Sequence, residues 1–410
     1  MRNVQLDLLR ALAVVLVLGR HMGKVPDDLP PWLYVPMKLW NAAGWMGVDI
    51  FFVLSGFLIG GLLFRELRDT GEFSVGRFLT RRALRIYPPF YIMLAATLGF
   101  KAWTEIPLWV DPVTPAHIAS EVFFMQSYFS GALLHTWSLA VEEHFYLGLP
   151  LLLLLLGARR ARPAQGLTGD ALWDARPCRG LVTACLCIMA GVLIARSAQS
   201  IAVGANRDLF NAQHLTTHMR MDALAFGVLL AYLSTFAPAV VTGFVTRHRW
   251  KLVVFALLAF APAGLFSLWD LFHQTVGVTL IYLGAGALML VLLHTRMPTG
   301  RVVTPVVNGF AAMGVCSYSV YLWHMSIIIF GMHGVQAMIA RTGWLGGEPG
   351  RGAAYVLEWI ILMPASVLLG MAAAKLVELP TLAVRDRLFP RRVERGAPEI
   401  GVAAHPRVPG

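Results

Sequence analysis

The chain has 410 residues, of which 57% are hydrophobic and only 14% are charged, and its mean hydropathy is +0.64. A soluble domain carries about a quarter of charged residues, so this composition argues against a soluble protein and predicts a polytopic membrane protein. The net charge of +11 does not indicate a nucleic-acid partner, because the basic residues concentrate in alternate loops, as the positive-inside rule requires.

Ten segments are candidates to cross a bilayer, for which a helix needs about 20 mostly apolar residues. They are approximately residues 6–23, 42–63, 84–101, 138–157, 180–196, 219–236, 251–268, 275–293, 310–331 and 353–376. We therefore predict an all-α fold of about ten transmembrane helices with both termini in the cytoplasm. The third span is the weakest, since Pro88 and Pro89 interrupt its first turns. The four cysteines lack the spacing of a metal site, and no metal is expected.

The first span, "LDLLRALAVVLVLGRHMG", contains two ionisable residues, Arg10 and His21. Eleven residues at about 100° each place them on one helix face, about 16 Å apart along the axis. Taken alone, Arg10 also fits a side chain that reaches the cytoplasmic headgroups, and His21 fits an interfacial histidine. Their shared face favours a bundle interior or cavity instead, with Asp7 one turn away as a partner for Arg10.

A basic cluster precedes the third span in "FLTRRALRIYPPFY". Arg82 and Arg85 are three residues apart, so they point to one side of a helix, and Arg81 lies beside them. Guanidinium groups bind phosphate through forked, charge-assisted hydrogen bonds, which makes this cluster a candidate phosphate site. The alternative is that it serves only as the positive-inside signal.

A carboxylate pair, Glu142 and Glu143, lies in "HTWSLAVEEHFYLGLP" at the predicted outer edge of the fourth span. A carboxylate there costs free energy unless it is partnered or reaches water. One of the two can orient or stabilise an imidazole, as carboxylates do beside catalytic histidines. The alternative is an exposed acid at a loop end.

Smaller polar groups recur at span ends and within spans. They are Asp49 and Ser55 in "GWMGVDIFFVLSGFLIGG", Arg220 and Asp222 in "RMDALAFG", and Tyr321, Trp323 and His324 in "YSVYLWH". For Tyr321 and Trp323 aromatic packing is the favoured interpretation, whereas for His324 packing and chemistry are balanced.

Several of these stretches, in this order, resemble the acyltransferase 3 family of membrane-bound O-acyltransferases. The matching features are Arg10 and His21 with ten residues between them, "GVDIFFVLSGFLI", "RRALRIYPPFY", "WSLAVEEHFY", "RMDALAFG", "YSVYLWH" and "ELP" at 378–380. They extend over about residues 5 to 385. One local departure is His144, where glutamine is common in the family.

The resemblance implies ten transmembrane helices in a bacterial inner membrane and transfer of an acyl group, commonly acetyl, from cytoplasmic acyl-CoA. The acceptor is expected to be a hydroxyl group of a cell-envelope or secreted carbohydrate. Residues 1–385 would form the membrane domain and 386–410 a basic, disordered cytoplasmic tail. Since no hydrolase-like domain follows, a stand-alone member is expected. No tightly bound cofactor is expected, and acyl-CoA would be a co-substrate.

The family's functional arginine and histidine map to Arg10 and His21, its basic pair to Arg82 and Arg85, and its glutamate to Glu142. We expect Arg82 and Arg85 to bind the phosphates of acyl-CoA, and His21 to accept the acceptor's proton. Glu142 would hold the imidazole.

Further residues are expected around the two substrates. Those on the acyl-CoA side are Arg81 and Ser55, and those on the acceptor side are Asp49, Trp137, Glu143, Arg220, Asp222, Tyr321 and His324. An acyl-enzyme route through His21 or Ser55 stays open.

An exporter of a glycan or small acid, without acyl-transfer chemistry, is the alternative function. It would share the polar residues within spans, but the chain lacks the internal repeat that marks many transporters. The acceptor remains open among peptidoglycan, lipopolysaccharide O-antigen, exopolysaccharide, periplasmic glucan and a macrolide sugar. The sequence also leaves open the acyl chain (acetyl, succinyl or longer) and whether the protein forms an oligomer.

Overall fold

The structure is a computed structural model that describes residues 3–158, 163–204, 206–342 and 350–390. This part of the chain consists of helices and their connections and contains no β-strand. Most of the predicted cytoplasmic tail, residues 391–410, lies outside the described residues.

The described residues form sixteen α-helices. The first eight are α1 (Val4–His21), α2 (Pro31–Ala43), α3 (Met46–Thr70), α4 (Val75–Thr104), α5 (Pro115–Val122), α6 (Trp137–Leu155), α7 (Gly169–Asp174) and α8 (Leu181–Val203). The others are α9 (Arg207–Leu215), α10 (Met221–Phe236), α11 (Pro238–Leu265), α12 (Val278–Leu293), α13 (Val303–Val315), α14 (Ser317–Thr342), α15 (Arg351–Ala373) and α16 (Leu379–Leu388). Short 3₁₀ turns at Leu134–Thr136 and Thr217–Met219 precede α6 and α10, and π-helical turns occur at His273–Gly277 and Ala374–Glu378.

Eight helical segments in the described part of the chain are long and apolar enough to cross a membrane. The shorter helix α10 and the charge-bearing helix α1 pack among them. Every one of the ten predicted spans coincides with a helix or a pair of helices. The prediction of an all-α, polytopic integral membrane protein is therefore confirmed.

Two of the predicted spans differ from the observed helices. The chain does not interrupt the third span at Pro88 and Pro89, because α4 begins at Val75, where Ser74 caps it, and continues through both prolines. The ninth predicted span is divided at Cys316 into α13 and α14. Apolar composition alone carries no signal for this break, since both sides of it are hydrophobic.

Helices α3 and α10 pack closely against each other through two glycines. A Cβ atom on Gly227 would lie 2.2 Å from the carbonyl oxygen of Val53, and one on Gly56 would lie 2.1 Å from that of Leu224. Small residues let helix backbones approach in this way inside membranes. In the most apolar stretch of α3, 78% of the residues are buried, so this helix is central. The corresponding share for α11 is 17%, so α11 lies at the periphery.

Helix α1 is held inside the bundle by α3, α13 and α14. Asn3 caps its first turn by accepting from the backbone N–H of Leu6 at 3.1 Å. Gly314 of α13 lies directly against the carbonyl group of Asp7, with no room for a side chain. Because α1 is surrounded in this way, its polar face is directed towards other helices.

Replacing Gly227 by leucine should prevent α3 and α10 from packing. Its Cβ would meet a backbone oxygen, which cannot move away by changing a rotamer. We therefore expect a loss of stability at the upper end of the usual range for overpacking, about 3 kcal/mol. We expect most of the detergent-solubilised variant to aggregate in fluorescence-detected size-exclusion chromatography. The control is Gly243→Leu on the exposed side of α11, where no atom lies within 4 Å of the new Cβ. Equal monodisperse fractions for the two variants would contradict the prediction.

Candidate active site

His21 is the last residue of α1, and one nitrogen of its ring, Nδ1, makes both of its contacts. Its Nδ1 lies 2.9 Å from the carbonyl oxygen of Val17, one turn earlier, and 3.2 Å from Nε2 of His324 in α14. The ring is partly buried, and within the described chain its Nε2 has no hydrogen-bond partner. Since α1 is continuous, Arg10 and His21 lie on one face of the helix, as predicted.

Three imidazoles, from His21, His135 and His324, form what we call the histidine cluster. The ring centroid of His324 lies 5.0 Å from that of His21 and 5.0 Å from that of His135. His324 is fully buried and donates from Nδ1 to the carbonyl oxygen of Tyr321. His135 is also buried, and its Nε2 donates to the carbonyl oxygen of Leu322 at 3.0 Å. The cluster thus joins α1, α14 and the turn before α6.

Tyr321 links α14 to the start of α6 through its hydroxyl group. This hydroxyl donates to the carbonyl oxygen of His135 at 2.8 Å and lies 2.6 Å from Oγ of Ser138. Aromatic packing was the favoured interpretation of this residue from the sequence. The hydroxyl contacts instead give it a polar role beside the histidine cluster.

A second, partly buried polar group, which we call the Glu142 cluster, contains Ser55, Arg82, Glu142 and Tyr146. The Tyr146 hydroxyl donates to Oε2 of Glu142 at 2.5 Å and lies 2.5 Å from Oγ of Ser55. The Arg82 guanidinium lies 5.2 Å from the centroid of the Tyr146 ring. The cluster therefore joins α3, α4 and α6 with one acid, one cation and two hydroxyl groups.

The expected direct contact between Glu142 and His21 is not found among the described residues. Glu142 follows His135 by seven residues, which is about two helical turns, so it lies along α6 from the histidine cluster. The nitrogen of His21 that Glu142 was expected to hold is instead occupied by the carbonyl oxygen of Val17 and by His324.

A third polar group lies where α1, α4 and α14 come together, and we call it the arginine end of the bundle. Arg10 pairs with Asp7 at 3.0 Å, as the sequence suggested. Nη2 of Arg85 lies 4.0 Å from Oε1 of Glu378, and the Ser319 hydroxyl donates to the other oxygen of Glu378 at 2.7 Å. Glu378 is the glutamate of the "ELP" motif, to which the sequence assigned no role.

Arg81 differs from its neighbours because both of its contacts are structural. It pairs with Asp386 at 2.8 Å and donates to the carbonyl oxygen of Phe389, which fixes α16 against α4. The side chain of Arg85, in contrast, is 31% exposed. Of these two arginines, Arg85 is thus the one that an anion can reach without displacing a helix.

Glu143 lies beside Arg82 rather than among the residues expected around the acceptor. Its Oε2 accepts a hydrogen bond of 3.1 Å from the hydroxyl group of Tyr87 in α4. These residues, together with Tyr146, line a cavity of about 320 Å³ between α4 and α6. The structure therefore groups Glu143 with the residues of the predicted acyl-CoA side.

Three other residues expected on the acceptor side form ion pairs. Arg220 pairs with Asp49 at 2.7 Å, and Arg196 pairs with Asp222 at 2.8 Å. All four side chains are at most 2% exposed, and the Arg220 guanidinium also lies 6.0 Å from the centroid of the ring of Trp137. These pairs join α3 to α10 and α8 to α10, so their present contacts are structural.

Glu121 fixes the turn that carries His135. It is fully buried on α5 and accepts hydrogen bonds from the backbone N–H of Leu133 at 2.9 Å and from the hydroxyl group of Thr136 at 2.9 Å. Burial raises the pKa of the Glu121 carboxyl to about 7. This acid was not identified from the sequence, because it lies in a short helix outside the predicted spans.

The sequence did contain a signal for other residues that were missed. His135, Ser138, Glu142 and Tyr146 follow one another at intervals of three or four residues, which places them on one helix face. Only Glu142 of these four was singled out, because the others are uncharged or precede the apolar span. In the described chain no group of three or more His, Cys, Asp or Glu side chains is placed to hold a metal ion.

Comparison with known proteins identifies a family. The model of the acyltransferase 3 family, described as an acyltransferase domain, matches residues 3–375. The chain is 28% identical over 346 residues to "Putative O-acetyltransferase SACOL0978" of Staphylococcus aureus strain COL, across 79% of this chain and 50% of that protein. It is 27% identical over 345 residues to O-acetyltransferase OatA of Staphylococcus aureus strain NCTC 8325, with the same shares covered. The chain spans about half the length of the curated relatives it matches. No solved structure matches it significantly.

Replacing Glu121 by glutamine should flatten the pH dependence of stability. The pKa of about 7 in the folded protein exceeds the ordinary value of 4.5, so the contribution of the protonated acid is complete below about pH 4.5 and is lost as pH rises through about 7. We expect the melting temperature in detergent to fall from about pH 5 to about pH 7 in the wild type, and less in Glu121→Gln. The exposed Glu72→Gln should behave as the wild type, and a Glu121→Gln curve that parallels the wild-type curve would refute this assignment.

Proposed function

Because the chain belongs to the acyltransferase 3 family, we propose that it transfers an acyl group from acyl-CoA to a hydroxyl group of a cell-envelope or secreted carbohydrate. Acetyl is the favoured group, since the relatives are named O-acetyltransferases. The protein would act in a bacterial inner membrane, with the donor at the arginine end and the acceptor at the histidine cluster. The observation that carries the proposal is the state of His21, which is held on Nδ1 and has no partner on Nε2 in the described chain.

His21 supports this proposal because its open nitrogen suits a general base. The carbonyl oxygen of Val17 can only accept, so it favours a hydrogen on Nδ1 and leaves the lone pair on Nε2. An ordinary imidazole titrates near pH 6.5, so an unprotonated ring at neutral pH can take a proton from a sugar hydroxyl. The side chain is only partly buried, which leaves room for an acceptor to approach.

The donor would bind at the other end, through Arg82 and Arg85. Arg85 is partly exposed and is held by Glu378 only at 4.0 Å, so a phosphate group can compete for it. Arg82 lines the cavity between α4 and α6 and faces the ring of Tyr146. The distance of about 16 Å along α1 between Arg10 and His21 is a span that the long pantetheine arm of acyl-CoA would cover.

The reaction would proceed by direct transfer. As Nε2 of His21 takes the hydroxyl proton, the acceptor oxygen attacks the thioester carbonyl carbon and forms the new C–O bond. The C–S bond then breaks, and the CoA thiolate takes the proton back from the imidazolium. Atoms and charge balance without another reactant, and the His21 ring returns to its neutral form.

Replacing His21 by alanine should abolish transfer because no other group would remove the proton. General bases contribute about 10²- to 10⁴-fold to rates, so we expect a loss of at least about 100-fold. The measurement is the label incorporated into the saccharide fraction when membrane vesicles are incubated with [acetyl-¹⁴C]acetyl-CoA. Monodisperse elution must show that the variant is folded. Unchanged incorporation would exclude His21 as the base, and a wild-type protein that releases no CoA would favour an exporter.

Replacing both Arg82 and Arg85 by alanine should raise the Michaelis constant for acetyl-CoA about tenfold or more, because two charge-assisted bonds to phosphate would be lost. The matched control is Arg77→Ala, one to two turns earlier on α4, where the arginine pairs with Glu66 at 2.9 Å. This control should leave the constant for acetyl-CoA unchanged. If the double variant alters only the dependence on acceptor concentration, the arginines do not bind the donor.

A further inference from the structure

The strongest unexplained feature near the proposed base is a buried imidazole, His324, in hydrogen-bond contact with it. We propose that His324 is a positioning residue that keeps the proton of His21 on Nδ1 and accepts a charge-assisted hydrogen bond when His21 becomes an imidazolium. This inference rests on the proposed function of His21 as the base. In this proposal the imidazole of His324 takes the role that the sequence assigned to the carboxylate of Glu142.

The direction of each hydrogen bond follows from the acceptors. Nδ1 of His324 faces the carbonyl oxygen of Tyr321, which can only accept, so Nδ1 carries the hydrogen. A neutral imidazole has one N–H group, which leaves a lone pair on Nε2 of His324. That lone pair lies 3.2 Å from Nδ1 of His21. Nε2 of His324 and the carbonyl oxygen of Val17 are both acceptors, so both favour a hydrogen on Nδ1 of His21.

The surroundings keep His324 in this arrangement. Its side chain is 0% exposed, so water cannot replace either contact. His135 packs edge-on against it, with the two ring planes at 77°. His135 is itself anchored to the carbonyl oxygen of Leu322 and to the turn fixed by Glu121. Both nitrogens of the His324 ring are thus engaged in the observed rotamer.

The role would matter most after the proton has moved. When Nε2 of His21 has accepted a proton, the positive charge is shared by both ring nitrogens, and the bond from Nδ1 to His324 becomes charge-assisted and stronger. A contact that strengthens as the charge forms stabilises the transition state more than the bound substrate. Its loss should therefore lower kcat and leave the Michaelis constants nearly unchanged.

The kinetic test compares two substitutions of His324 with a control on the same helix. His324→Leu removes the acceptor, and we expect kcat for acetyl transfer to fall about 10- to 100-fold with little change in either Michaelis constant. His324→Gln offers an amide oxygen at a similar distance and should restore most of the rate. His333→Gln is the control, because His333 makes a similar Nδ1 contact, to Ile329, but is exposed. Wild-type kcat in His324→Leu, or equal losses in the leucine and glutamine variants, would overturn the proposal.

A second measurement does not depend on activity. Solid-state NMR of protein with ¹⁵N-labelled histidine rings should show a protonated Nδ1 and an unprotonated Nε2 for His21, with a coupling from Nδ1 to Nε2 of His324. The coupling should vanish in His324→Gln and persist in His333→Gln. A proton on Nε2 of His21 would overturn the inference even if transfer occurs. If the wild type transfers no acetyl group, the proposed function fails, while the spectra still decide the pairing.

Discussion

The arrangement of the helices depends on two ion pairs that are buried inside the apolar bundle. Arg220 with Asp49 and Arg196 with Asp222 are buried almost completely, where an unpaired ion would cost several kcal/mol. The first pair joins α3 to α10 and the second joins α8 to α10, so a shift of any of these helices would separate opposite charges. The glycine contact between α3 and α10 adds a steric constraint to the electrostatic one. Because α1 packs against α3, the position of His21 follows from this arrangement.

The polar groups around α1 divide into two ends with different chemistry. The arginine end combines cations with partners that an anionic ligand can displace, such as the 4.0 Å contact between Arg85 and Glu378. A phosphate group that binds Arg85 would leave the buried Glu378 carboxylate with the hydroxyl group of Ser319 as its hydrogen-bond donor. The histidine cluster contains imidazole rings, of which His21 would gain and return one proton in the proposed reaction. This separation suits a reaction in which a strongly anionic donor and a neutral hydroxyl acceptor approach from opposite sides.

The sequence predicted features that depend on one helix and missed those that depend on contacts between helices. Ten apolar segments and the common face of Arg10 and His21 follow from composition and periodicity, and the helices bear both out. Periodicity does not say how far one helix is displaced along another. Glu142 was therefore assigned to His21, although it lies about two helical turns beyond His135 and Nδ1 of His21 contacts His324 of α14 instead. His135 was missed because it lies before the apolar span, in a turn whose position depends on the contact with Glu121 of α5.

One consequence concerns the energy stored across the membrane. A file of hydroxyl, carboxyl and imidazole groups through a bundle resembles a proton wire, and an acyltransferase that conducted protons would dissipate the electrochemical gradient of its cell. The Ser55–Tyr146–Glu142 bonds and the Ser138–Tyr321–His135 bonds have no member in common, and no hydrogen bond between described residues connects them. A proton that passed from one group to the other would have to cross the gap of about one helical turn on α6 between Ser138 and Glu142.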